Sequence, residues 1–344
     1  LTQTRIATID TYGVFFILLM YFFMYRYLTL PAGTSFRRGA LPLFLSGLFW
    51  GIGAASKWTV IYGGAGLCLL YFIGLFFKHR EWPAGESAPR FAPWLIKTLL
   101  FSVLAFVLLP GLIYVLSYWP YASARGNEAG LGGILLEIVS WPFVQLPQVL
   151  RGERELFLSN SQNIVDIMLQ NQHFMLTYHE GVHASHPYSS RWYQWIVDAR
   201  PILYYLDNTS GKAEGLKAAF GCFNNPIVCW GGLLAVLTCA AQTFHRRWSK
   251  RLFFLLLALA GLGACVGVDG LLSSELDTPV LIGHLTVMVL ALLLYAGLCS
   301  LAVWGSARTD GRALFLLVGY LSQLLPWLLI GRTTFEYHYF PSTL

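Results

Sequence analysis

Four of the chain's eight histidines, His173, His179, His183 and His186, fall within QNQHFMLTYHEGVHASHPYSSRWYQWIVDARPILYY, residues 170–205, with Arg191, Arg200, Trp192, Trp195 and five tyrosines. Imidazole is the commonest metal ligand, but this spacing is not a metal pattern. His179-Glu180 has no second histidine four residues after the first, and Gly181 and Pro187 break any helix that would align the four. No metal site is therefore expected, and a divalent ion is left open only as a companion of a substrate. Serine-nucleophile GxSxG and phosphate-cradling GxxxxGK[ST] motifs are absent. Hydrogen-bonding groups on an aromatic platform suit an enzyme working at headgroup depth, where tryptophan and tyrosine are favoured; an aromatic belt without chemistry has the same composition.

A second set of residues bears charge at the ends of apolar runs. Lys57 follows Ala54-Ala55-Ser56 with Trp58 beside it, and Arg332 follows the last apolar run, ahead of Thr333-Thr334-Phe335-Glu336-Tyr337-His338-Tyr339. Each cation fits a snorkelling side chain, and equally a ligand for the phosphate of a lipid. Asp10 and Glu336 are the acidic candidates. Asp10 also suits the N-cap of the run that follows it. Together the four supply what transfer from a phosphate leaving group to a hydroxyl needs, a carboxylate to take the proton and fixed positive charge for the phosphate.

These groups are positioned by an apolar framework. The 344 residues are 56% hydrophobic, 16% aromatic and only 12% charged, with mean hydropathy +0.58. Repeated apolar runs of about 20 residues, without the alternating dyads of a barrel, predict an all-α polytopic transmembrane protein. About eight spans are expected, at 12–30, 41–55, 59–77, 98–118, 226–244, 252–270, 279–304 and 313–330. They divide the chain into a four-span region (1–118), a loop (119–225) and a second four-span region (226–344). Within the loop, residues 131–172 mix apolar stripes with charge and read as amphipathic helices on a leaflet surface. The net charge of +6 is scattered between spans, which argues against nucleic acid. Cys68, Cys239 and Cys299 fall inside apolar runs and no CxxC is present; Cys222 and Cys229 are close enough in sequence to pair in an oxidising compartment. Asn208-Thr209-Ser210 is a glycosylation sequon. The opening residue, Leu1, without an initiator Met or signal pattern, is what a fragment or processed chain would show.

Orientation follows from lysine and arginine, which stay cytoplasmic in short connections. Thirteen of the 23, among them Arg37, Arg38, Lys78, Arg80, Arg90, Lys250 and Arg308, fall in four connections on one side of the eight spans, with three of the 17 acids. Asp10, Lys57, the loop 119–225 and Arg332 then share the extracytoplasmic side, where one site can collect them. No internal repeat is visible, and ionisable groups avoid the middle of the runs, His284 being the clearest exception. Both features favour interfacial chemistry over the alternative, a lipid-linked-sugar flippase or other carrier.

Several motifs resemble those of bacterial protein O-mannosyltransferases. They are Thr4-Arg5-Ile6-Ala7-Thr8-Ile9-Asp10; Ala54-Ala55-Ser56-Lys57-Trp58-Thr59; Tyr178-His179; His186-Pro187-Tyr188-Ser189-Ser190-Arg191-Trp192; Arg200-Pro201-Ile202 with Tyr204-Tyr205; Asn225-Pro226 with Trp230; and Arg332 to Pro341. The resemblance implies a GT-C membrane glycosyltransferase of the plasma (inner) membrane, moving mannose with inversion from a polyprenyl-phosphate (dolichyl-type) donor to serine or threonine hydroxyls. The acceptors would be secreted or translocating proteins near the translocon, and no cofactor is implied beyond the donor. It places the main base in an Asp-Glu pair of a first outer loop upstream of Leu1, matches Asp10 to a second, supporting acid, and sets a last family span beyond Leu344. It also implies site roles for His179, His186, Tyr188, Ser189, Arg191, Trp192 and Arg200 in the loop, and for Glu336, Tyr337 and His338 in the C-terminal motif. Cysteine-accessibility labelling tests the orientation: positions beside Arg90 and Lys250 should label from the cytoplasm and those beside Asn127 and Ser190 from outside. External labelling beside Arg90 would reverse it.

Overall fold

The first apolar run folds as α1, Asp10–Leu28, with one helical face buried (Val14, Ile17, Met20, Tyr21, Met24, Tyr27) and Tyr12, Phe15, Leu18 and Phe22 exposed on the other. It ends at Thr29, whose backbone N–H and hydroxyl both donate to Tyr25 O at 3.0 Å, two residues before Pro31. The computed structural model describes residues 8–85, 89–181, 186–207, 218–222, 224–243 and 311–343. The expected spans at 252–270 and 279–304, with His183, His284, Asn208 and the basic residues 246–251, lie outside them.

Helices α2 (Phe36–Ser56) and α3 (Val60–Arg80) are joined by a tight turn at Lys57, whose extended backbone breaks the helix. The turn closes through Lys57 N to Gly53 O at 2.9 Å and Val60 N to Lys57 O at 3.1 Å. The core of Ile17, Met20, Tyr21, Met24, Tyr27, Leu43, Val60, Leu67, Leu70, Tyr71 and Leu75 lies between α1, α2 and α3. Two polar side chains in this layer, Ser46 and Tyr21, bond to neighbouring helices, which offsets their burial in an apolar medium. Ser46 Oγ donates to Met20 O at 2.8 Å, and the Tyr21 hydroxyl donates to Gly63 O and meets Ser322 Oγ, each at 3.0 Å.

The next helix, α4 (Phe91–Val103), passes through a π turn at Leu104–Leu108 into α5 (Leu109–Leu116). Pro110 explains the widening, since it has no N–H for the carbonyl four residues earlier and its ring would strike that carbonyl. Leu109 N–H bonds Leu104 O instead, and the turn presses Ala105 against α2 at Gly47. A Cβ on Gly47 would stand 2.1 Å from Ala105 O, so only glycine allows the approach.

After α6 (Trp119–Ala124), α7 (Leu131–Leu150) and α8 (Ile164–Gly181) pack through Ile134, Ile164, Val165 and Ile167. Their polar joint is held by two carboxylates, Glu137 and Asp166. Glu137 accepts Ile164 N–H at 2.8 Å, and buried Asp166 accepts Trp141 Nε1–H at 2.8 Å, Ser161 Oγ–H at 2.6 Å and an Arg154 guanidinium N–H. A short α9 (Trp192–Trp195) precedes strands β1 (Ile202–Asp207) and β2 (Ala218–Cys222), an antiparallel pair with an irregularity between Leu203 and Tyr205. This short pair is an addition to an otherwise helical set of described elements, as an all-α fold allows. Pro201 cannot continue a helix, and Ile202-Leu203-Tyr204-Tyr205 is the branched and aromatic composition that strands favour. Helix α10 (Pro226–Thr243), helix α11 (Gly311–Leu324) with a 3-10 turn at Leu325–Leu329, and a second 3-10 segment, Glu336–Thr343, complete the described chain.

Six helical stretches among the described residues are long and apolar enough to cross a membrane: Asp10–Leu28, Phe36–Ser56, Val60–Arg80, Phe91–Ala124, Leu131–Leu150 and Gly311–Leu329. The chain is thus a mostly helical membrane protein. Leu131–Leu150, expected to be a surface helix, reaches crossing length and exposes Leu131, Leu136, Val139 and Phe143 along one side. The contact at Gly47 yields a stability test. Gly47→Ala should lower unfolding stability in detergent by about 1–3 kcal/mol, as overpacking does, while Gly111→Ala, whose Cβ would meet nothing within 4 Å, should not.

Candidate functional site

At the end of the bundle where α2 turns into α3, a cavity of about 590 Å³ collects side chains from distant parts of the chain. Asp10 comes from the first turn of α1, Lys57 from the helix break, and Tyr114 and Tyr118 from the end of α5 and the residue pair after it. His179 comes from the last turn of α8 and Tyr204 from β1; Arg332, Tyr337 and His338 follow α11. The volume lies in the range of roughly 300–1,000 Å³ usual for small-molecule sites. Of the residues expected to act, the structure therefore brings together Asp10, Lys57, His179, Arg332, Tyr337 and His338.

Lys57 and Asp10 form an ion pair, with 16% and 13% of their side chains exposed. The ammonium also lies 5.9 Å from the centre of the Tyr337 ring. Arg332 is half-buried and makes no ion pair among the described residues. Its field acts on its neighbours instead. Burial, aided by the Arg332 charge, lowers the pKa of His179. Burial also drives His338 down to about 3, with the charges of Arg332 and Lys57 opposing protonation further, so this imidazole is neutral at physiological pH. His338 is fixed by Phe335 N–H donating to its Nδ1 at 3.1 Å and by ring contacts with Trp195 and Trp327, at 6.0 and 4.5 Å between centres. Tyr337 is raised by burial and then by the Asp10 charge, and stays a phenol.

The remaining expected residues stand behind the cavity. Ser190 N–H donates to Thr334 O at 2.9 Å, Thr334 Oγ1–H returns a bond to Ser190 O at 2.6 Å, and Trp195 Nε1–H bonds Ser190 Oγ at 2.8 Å. This clip ties the loop to the segment carrying Arg332. His186 meets the Phe335 ring edge-on at 5.0 Å, and Trp192 joins the cluster of Trp195, Leu324, Trp327 and Tyr339. Arg200 donates to Pro187 O at 2.8 Å, and Arg191 N–H to Gln194 Oε1 at 2.8 Å, which caps α9. Tyr188 and Ser189 close a turn on His186 through Tyr188 N–H to Nδ1 and Ser189 N–H to O. None of His186, Tyr188, Ser189, Arg191, Trp192 and Arg200 lines the cavity. Sequence reasoning missed Tyr114, Tyr118, Met175 and Tyr204 as lining residues. For the first two a signal existed, since Tyr114 and Tyr118 are four apart at the end of an apolar run and so share a helix face.

Cys222 and Cys229 are free thiols, and the Cys229 thiol donates to Ile196 O at 3.3 Å instead of pairing. Among the described residues no group of three or more His, Cys, Asp or Glu is arranged to hold a metal.

Glu336 also lies away from the cavity. It is buried, and its Oε1 accepts from Asn224 Nδ2 at 2.8 Å and from Asn224 N at 3.3 Å, an amide it shares with Asp198 Oδ1 at 3.2 Å. Burial, then the Asp198 carboxyl beside it, raises Glu336 well above its ordinary 4.5. A carboxyl that keeps its proton in the folded state favours folding fully below pH 4.5, and that contribution is lost as pH climbs toward the folded value. Glu336→Gln should therefore flatten the fall of thermal stability with pH above 4.5; an unchanged slope would show that the carboxyl ionises freely when folded. Comparison with protein-family models, curated proteins and solved structures finds no match, so the reading of this cavity rests on its own residues.

Proposed function

We propose that this chain is a GT-C mannosyltransferase that moves mannose from a polyprenyl-phosphate donor to serine or threonine hydroxyls of proteins at the extracytoplasmic face of the plasma (inner) membrane. The observation that supports this most is the meeting of Asp10, Lys57 and Arg332 in one cavity at the ends of apolar helices. A lipid-linked donor needs apolar surface for its chain and cations at headgroup depth for its phosphate, and the cavity has both in reach.

In this reading the acceptor oxygen attacks C1 of mannose from the side opposite the phosphate. The C1–O bond to phosphate breaks, its electron pair leaves with the polyprenyl phosphate, and the hydroxyl proton passes to a carboxylate. Arg332 holds the phosphate by its guanidinium fork and Lys57 adds a point charge. Asp10, fixed by Lys57, is the carboxylate of the cavity and supports the proton transfer; the family resemblance assigns the main base to a preceding outer loop. The loop residues His186 to Trp192 act by holding the Arg332 segment in place through the Ser190–Thr334 clip.

Donor-concentration dependence of mannosyl transfer tests the assignment. A charge-assisted bond contributes roughly 1.5–3 kcal/mol, so Lys57→Met and Arg332→Met should each weaken donor use about tenfold or more. Lys57→Arg should keep part of the activity, and Arg332→Lys should lose most because a fork becomes a point charge. Unchanged apparent donor affinity and turnover in Lys57→Met and Arg332→Met would return both cations to simple interfacial anchors.

A further inference from the structure

Phosphate binding leaves the aromatic part of the cavity unexplained. Trp58, Tyr114 and Tyr118 line it, and the two tyrosine rings lie 5.8 Å apart, tilted by 53°. Their hydroxyls are held by neighbours. Trp58 Nε1–H donates to the Tyr114 hydroxyl at 2.6 Å, while Asn171 Nδ2–H and Gln172 Nε2–H, both from α8, donate to the Tyr118 hydroxyl at 2.9 and 2.6 Å. Three N–H donors thus converge on two phenol oxygens, and what those oxygens have left to offer is their two protons. At most one proton can be spent between the two rings, so at least one is available to an acceptor in the cavity.

An aromatic lining that carries O–H donors and no charge is poorly matched to phosphate and well matched to a pyranose. The C–H face of a sugar packs on aromatic rings, and its hydroxyl oxygens accept from a positioned phenol. Sites built this way discriminate by leaving their own polar groups unpaired when the partner hydroxyl is absent. We propose that Trp58, Tyr114 and Tyr118 form the hexose subsite of the cavity, with the Tyr114–Tyr118 hydroxyl pair donating to a sugar hydroxyl and Asn171 and Gln172 setting the direction of that donor. The assignment rests on the donor reading given under Proposed function. It adds that sugar and phosphate are recognised by separate residues, the first by Trp58, Tyr114 and Tyr118 and the second by Lys57 and Arg332.

Separate recognition can be tested by equilibrium binding of two probes, polyprenyl phosphate with and without its mannosyl group, to the full chain in lipid nanodiscs. Tyr118→Phe should weaken the mannosylated probe about five- to tenfold, the effect of one lost hydrogen bond, and leave the bare polyprenyl phosphate unchanged. Lys57→Met should weaken both. Tyr114→Phe, which retains the ring, gives the same comparison should Tyr118→Phe fail to fold. Equal weakening of both probes by either tyrosine variant, or no change in either probe, would overturn the sugar subsite while leaving the phosphate site standing. Failure of the unmodified chain to bind either probe would overturn the donor reading and the subsite with it.

Discussion

A charge cannot sit in hydrocarbon without a partner, and a backbone there must bond to itself. The architecture follows from this constraint. Between Tyr12 and Tyr25 in α1 no ionisable group other than tyrosine interrupts the helix, and its buried polar contact, the Tyr21 hydroxyl, is taken by Gly63 and Ser322. At the helix ends Lys78 donates to Leu30 O, and Lys57 pairs with Asp10. Charges excluded from the helix middles gather at the ends, and the cavity lies where Asp10, Lys57 and Arg332 are gathered.

Gathering charges does not hold them in register, and here the loop does that work. The segment Gly331 to Phe335 has no regular secondary structure and would by itself leave Arg332 loosely placed. It is fixed on one side by the paired bonds between Ser190 and Thr334, on another by His338 packed among Trp195 and Trp327, and below by Asn224 bonding Glu336. Thr334 and Glu336 are buried, so losing the partner of either leaves an unsatisfied group, which costs more than the bond contributes when made. His186, Trp192 and Trp195 thus support the cavity from behind, while His179 and Tyr204 line it directly.

Helices were legible because an apolar run of crossing length admits few other structures: the expected runs at 12–30, 41–55, 59–77, 226–244 and 313–330 each overlap a helical stretch, and 98–118 lies inside the longer Phe91–Ala124. The convergence of Asp10, Lys57 and Arg332 was legible only as far as topology puts them on one side. Their contact was not, since the Asp10–Lys57 pair depends on how α1 packs against the turn between α2 and α3, which no local pattern records. Glu336 misled for the opposite reason. An acid in a polar, aromatic motif reads as a catalytic group, whereas burial beside Asp198 makes it a protonated strut. The strand pair and the π turn were invisible as well, although Pro201 and Pro110 mark both places and only their outcome was unspecified.

The charge balance of the cavity bears on how it would act on a phosphate leaving group. Lys57 is offset by Asp10, while His338, and Tyr337 as a phenol, add nothing at neutral pH, so Arg332 leaves the set with one positive charge in excess. A glycosyl phosphodiester carries one negative charge and so meets that excess evenly in the ground state. As the C1–O bond breaks, a second negative charge builds on the phosphate, and Lys57, shared between Asp10 and the phosphate, would turn further toward it as its bond to Asp10 loosens. Any share of the acceptor's proton that Asp10 takes in supporting the main base would loosen that bond at the same moment. In the donor reading the ammonium would be shared by Asp10 and the phosphate before reaction and lean further toward the phosphate during it, and an interaction that strengthens toward the transition state is the kind that accelerates chemistry.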